Sequence, residues 1–267
     1  MTRRDVLRLL AAAAVAPRLD AAPSPLLKRR IPSSGEELPV IGVGTWRTFD
    51  VGLSAEERAP LVAAMRELVV QGGRVVDSSP MYGRSEEVLG AVAEPVRARL
   101  FLATKVWTGG REAGIAQMNA SLRKLRTSSV DLMQVHNLLD VAAHLPTLRK
   151  WKEAGRIRYI GITHYTSSAY GEVEALLRRE RLDFLQINYS AAEREAEARL
   201  LPLARERGVA VIANRPFAEG ALLRRLMAQP LPAWAAEIDC RSWAQLLLKF
   251  VVSHPAITCA IPGTGKV

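Results

Sequence analysis

Cysteine is scarce. Cys240 and Cys259 are the only two in 267 residues, which excludes a disulfide scaffold and a cysteine-rich zinc or iron–sulfur module. Histidine is scarce too: His136, His144, His164 and His254 show neither i, i+4 nor H-x-E spacing, so no metal site is expected. No apolar run reaches the roughly 20 residues needed to span a bilayer, so no stable membrane anchor is expected. Aromatics are few and do not interleave with basic runs. The formal charge of +10 therefore reads as a solvated basic surface on amphipathic helices, with no nucleic-acid partner.

What is present begins with an address. Arg3-Arg4-Asp5-Val6-Leu7-Arg8 leads into the apolar run Leu9–Ala16, then small residues. This pattern resembles a twin-arginine export signal over residues 1–22, with 23–37 as a linker and 38–267 as the folded domain. The expected partner is the twin-arginine export machinery and the expected location a bacterial periplasm, or the cytoplasm if the segment is an ordinary helix.

Beyond residue 38, short apolar runs alternate with longer stretches of 3.6-residue period. The runs predict strands at 40–44, 74–77, 100–105, 130–136, 157–162, 184–187, 209–213 and 257–261. Helices are predicted near 55–71, 84–97, 111–125, 141–154, 168–180, 192–207 and 239–253. Continuous Val/Ile/Leu strands mean a parallel sheet buried on both faces. Eight of them fit an α/β fold closed as a (β/α)8 barrel. An open doubly wound sheet would want G-x-G-x-x-G after its first strand, where Gly42-Val43-Gly44-Thr45-Trp46-Arg47 lacks the third glycine. The last helix and a C-terminal tail are missing from this pattern, so either the sequence is a C-terminally truncated barrel or the outer flank of strand eight is exposed.

Barrel chemistry sits at the C-terminal ends of the strands. Asp77, Lys105 and His136 end strands two, three and four, and Tyr82 lies in the short loop after Asp77. Such a group suits general acid catalysis by a phenol. A cationic Lys105 within reach favours the phenolate and lowers the tyrosine pKa from about 10. Asp77 keeps that buried lysine charged, and His136 orients a carbonyl toward Tyr82.

At these residues the chain resembles the aldo-keto reductases. The stretch Gly73–Gly90 is similar to that family's signature around its catalytic aspartate and tyrosine. Thr104-Lys105-Val106-Trp107 resembles its lysine motif, and Val130–His136 its histidine motif. The resemblance covers about residues 38–265. It implies a catalytic tetrad of Tyr82, Lys105, Asp77 and His136, reducing an aldehyde or ketone with hydride from NADP(H), or less often NAD(H).

The resemblance also places Thr45, Trp46 and Asp77 against that cofactor. Thr163-His164 stands where the family has Ser-Asn on the carboxamide, and Gln186 matches its glutamine. Asn214 replaces an aromatic that stacks on nicotinamide, so Phe217 or Trp46 stacks instead, or the contact is lost. Arg215 is expected on the pyrophosphate. Pro262-Gly263-Thr264 resembles the start of the loop on the adenosine 2′-phosphate, whose remaining residues are expected past Val267, so weak NADP(H) binding is expected. Trp46, Met81, Trp107, Asn137 and Phe217 are expected to wall a pocket for an apolar or aromatic carbonyl compound. A monomer is expected. The alternative is a cofactor-binding or redox-sensing barrel that does not turn over.

Overall fold

The computed structural model of the chain describes residues 26–266, so the expected export signal lies outside the described residues. Two short antiparallel strands come first, β1 (Lys28–Arg30) and β2 (Glu37–Pro39). Eight parallel strands follow: β3 (Val43–Gly44), β4 (Val75–Asp77), β5 (Phe101–Val106), β6 (Val130–His136), β7 (Ile157–Thr163), β8 (Phe184–Asn188), β9 (Ala210–Asn214) and β10 (Ile257–Ala260). Each pairs with the next in sequence. Single bridges, Ile41 to Ala260 and Gly44 to Gly263, join the two ends and close the barrel.

Helices α1 (Ala55–Val70), α2 (Ser85–Val92), α3 (Arg111–Lys124), α4 (Val141–Glu153), α5 (Tyr170–Arg179) and α6 (Leu200–Glu206) return the chain from one strand to the next. Helices α7 (Ala221–Leu226) and α8 (Trp243–Ser253) both lie between β9 and β10. The start of α1 is fixed by a capping box, in which Ser54 and Glu57 satisfy each other's backbone N–H groups.

Alternation along the strands separates two cores. Leu132 points inward, while Met133 and Val135 face the helices. Phe101, Tyr159 and Phe184 fill the barrel interior with ring centroids 5.5 to 5.9 Å apart. Below them Ile31 and Leu38, from the β1–β2 hairpin, are fully buried and plug the floor.

Two expectations are corrected here. Part of the segment read as a linker, residues 28–30 and 37, is hairpin: Arg29 donates to the carbonyls of Val252 and His254 at 2.6 and 2.7 Å, tying the hairpin to the end of α8. The flank of β10 is not exposed, because all four of its residues are buried, Ile257 and Ala260 in the outer core and Cys259 inside.

Candidate active site

The same alternation that sorts the cores aims the polar groups. Asp77, Lys105, His136, Thr163, Gln186 and Asn214 occupy inward positions near the C-terminal ends of β4 to β9, so their side chains converge on one mouth. Lys105 is wholly buried. Its ammonium donates to Asp77 Oδ2 at 2.5 Å and to the Ser78 carbonyl at 2.7 Å. Two of its three donors are thereby used, and the ammonium lies 4.9 Å from the centre of the Tyr82 ring.

The other oxygen of Asp77 accepts from two amides, Gln134 Nε2 at 3.0 Å and Gln186 Nε2 at 2.9 Å. Gln134 escaped the sequence reading, although it lies two residues before His136 and so shares its face of β6. Gly161 makes room for it, since a Cβ there would stand 3.0 Å from Gln134 Cγ and 3.1 Å from the Phe184 carbonyl. Tyr82 is held by a tight turn at Gly83, where the left-handed φ of +59° and the close approach of the Asp50 carboxylate favour glycine.

Burial pulls the Lys105 pKa down, but Asp77 and Tyr82 outweigh it and hold the pKa above the ordinary lysine value. For Tyr82 the balance differs from the expected one. Burial raises its pKa more than Lys105 lowers it, so the phenol titrates above the ordinary 10.0. Tyr82 therefore stays protonated at neutral pH, which is the form a general acid needs. His136 is pushed down to about 2, by burial first and then by the charge of Lys105, so its imidazole is neutral. Its Nδ1 lies 3.0 Å from Ser79 Oγ, and its ring meets Tyr82 edge-on at 5.6 Å.

A cavity of about 580 Å³ opens over this group. Of the expected residues it is lined by Thr45, Trp46, Asp77, Met81, Tyr82, His136, Asn137, Thr163, Gln186, Asn214, Arg215 and Phe217. Four are not on its wall. Lys105 lies beneath it. Trp107 stands on the rim 6.4 Å from His136, its backbone fastened to the Gln117 amide. His164 turns away: its ring stacks on Tyr165 at 5.4 Å and its Nδ1 accepts the Thr166 N–H. The Thr264 hydroxyl donates to the Lys266 carbonyl instead. Tyr165 and Glu219, neither anticipated, line the cavity; both follow strand ends, where only the path of the loop decides which side chain faces in.

The loops around the mouth carry left-handed backbone at Arg47, Asn137 and Arg215, a cost that clusters at functional sites. The buried atoms Asn137 Oδ1, Asn214 Oδ1 and Arg215 Nε have no hydrogen-bond partner among the described residues. Arg215 also donates to the Tyr165 carbonyl at 2.8 Å and lies 3.2 Å from Glu219. The unpartnered amide oxygen of Asn214 and the adjacent unpartnered Arg215 Nε suit a carboxamide and a phosphate respectively, as a nicotinamide cofactor carries them.

The profile of the Aldo/keto reductase family matches residues 40–267. The methylglyoxal reductase YeaE of Escherichia coli is 31% identical over 248 residues, 90% of this chain and 86% of the relative. A solved aldo-keto reductase from Klebsiella pneumoniae in complex with NADPH has 29% identity and a TM-score of 0.77, covering 90% of this chain and 86% of its own. A second Klebsiella pneumoniae structure, in complex with NADP and acetate, gives 29% identity, a TM-score of 0.73, and coverage of 87% and 83%.

Proposed function

The chain belongs to the aldo/keto reductase family and is an NADP(H)-dependent oxidoreductase acting on a carbonyl, and we propose that Tyr82, Lys105, Asp77 and His136 carry its chemistry. The observation that supports these roles is the buried Lys105–Asp77 pair set against the Tyr82 ring. A nicotinamide held here would supply the hydride that reduces the carbonyl carbon. Tyr82 gives its phenolic proton to the carbonyl oxygen, and Lys105 stabilises the phenolate as it forms, when that help lowers the barrier. Asp77 keeps Lys105 charged through this change. Neutral His136 donates to the same oxygen and aims it at Tyr82.

Thr163, Gln186, Asn214 and Arg215 would hold the cofactor, together with Thr45 and Asp77 on the same cavity wall. Trp46 or Phe217 would offer it a stacking surface. Gln186 would meet the carboxamide through Oε1, which also accepts the Thr163 hydroxyl at 3.3 Å, since its amide nitrogen is committed to Asp77 and Gln134. Trp46, Met81, Asn137 and Phe217 wall the substrate side, which suits an apolar or aromatic aldehyde or ketone in a monomeric enzyme. Methylglyoxal, the substrate in the name of the Escherichia coli relative, belongs in the first panel beside benzaldehyde.

Added NADPH and such an aldehyde should give steady consumption of both. Binding with at most one turnover would refute an enzyme and leave a sensor. We also read residues 1–22 as an export signal for a periplasmic enzyme. Replacing Arg3 and Arg4 by lysine should trap the protein in the cytoplasm, and unchanged fractionation would refute that reading.

A further inference from the structure

We infer that Ser79 is a positioning residue that fixes the tautomer of His136, leaving Nε2–H as the donor presented to the substrate oxygen. Ser79 is wholly buried, and its hydroxyl has one proton and two lone pairs to place. The Met81 N–H donates to Ser79 Oγ at 3.3 Å, and Oγ lies 3.0 Å from His136 Nδ1. Among the described residues Ser79 Oγ has no other partner.

Two arrangements are available. If Nδ1 carries the proton, Oγ accepts from both neighbours and its own buried proton has no acceptor. If Oγ–H donates to Nδ1, the hydroxyl and Nδ1 are both satisfied, and the ring proton sits on Nε2, toward the cavity. Leaving a buried donor unmade costs more than a single exchanged hydrogen bond, so the second arrangement prevails. His136 lines the cavity, and with Nδ1 committed to Ser79, Nε2 is the nitrogen left to meet a ligand. The depressed pKa of His136 agrees, because a neutral ring has one N–H to allocate and the choice of nitrogen matters.

The role of this tautomer in turnover rests on the reductase reading, but the tautomer itself does not. Uniform ¹⁵N labelling of the four histidines, with His136→Gln to assign the signals, reads protonation of each nitrogen without substrate or cofactor. In the unliganded wild type, His136 should show a protonated Nε2 and an unprotonated Nδ1. Ser79→Ala should mix the tautomers and lower kcat/KM for the carbonyl by about tenfold, with KM for NADPH unmoved. Ser79→Thr, which restores the hydroxyl, should recover the wild-type spectrum and rate.

A protonated Nδ1 in the wild type overturns the assignment, whatever the variants do. A Ser79→Ala protein with an unmixed Nε2–H spectrum and full activity overturns the positioning role. If the spectra behave as expected and no variant or wild type turns over, the tautomer assignment stands and the reductase reading fails.

Discussion

Tyr82→Phe lowers kcat/KM for carbonyl reduction by about 10²- to 10⁴-fold, the range contributed by a positioned general acid. The substitution removes one oxygen and leaves the aromatic ring that packs edge-on against His136. Nicotinamide affinity should therefore stay within about twofold of the wild type, because no interaction made equally in the ground state is lost. The pairing of these two readouts matters. A variant that loses binding and rate together has a collapsed cavity, whereas loss of rate alone isolates the proton donor. Turnover at the wild-type rate would remove Tyr82 from the mechanism.

The second large effect concerns the buried ion pair beneath it. Removing one partner of such a pair leaves a charge without compensation and costs about 3–5 kcal/mol. The two ends are not equivalent here. After Lys105→Met, the Asp77 carboxylate still accepts from Gln134 and Gln186. After Asp77→Ala, the Lys105 ammonium keeps the Ser78 carbonyl and the neutral Tyr82 but no counter-charge, and both glutamine amides lose an acceptor. Asp77→Ala should thus lower the melting temperature by about 10 °C, the larger fall of the two, taking about 2–4 °C for each kcal/mol in a chain of this size. A Lys105→Met protein melting below Asp77→Ala would mean the glutamines contribute nothing to holding the carboxylate. Both variants should lose most of their activity.

Much of this was legible from the residues. The run Val130–His136 is bounded by polar residues and alternates Leu132, Gln134 and His136 against outward Met133 and Val135, so its period marks both its length and its functional end. The convergence of Asp77, Lys105 and His136 on one mouth was readable for the same reason, since inward positions at the ends of neighbouring strands face one another. What lay outside regular strands was harder. The β1–β2 hairpin reads Lys28-Arg29-Arg30 and Glu37-Leu38-Pro39, charged on the solvent side and too short for a period to emerge. The predicted helix over 192–207 breaks because Arg199, at φ −141°, separates a short 3-10 turn from α6. Helix α7 spans six residues, too few to carry a recognisable apolar stripe.

Side-chain direction beyond a strand end was the least legible feature. His164 and Tyr165 are adjacent, yet Tyr165 lines the cavity and His164 does not. The sign of the Tyr82 shift was missed for a related reason. Sequence shows which charges lie near, whereas the burial that outweighs them depends on how the turn at Gly83 seats the ring.

The ionisation of Tyr82 itself, followed by the ¹³Cζ signal of labelled tyrosine across a pH titration, is the sharpest test of whether a hidden ammonium eases formation of the phenolate. The account predicts that Tyr82 titrates above free tyrosine in the wild type and higher again in Lys105→Met, where the neighbouring positive charge is gone. A Tyr82 pKa in Lys105→Met equal to or below that of the wild type would contradict it.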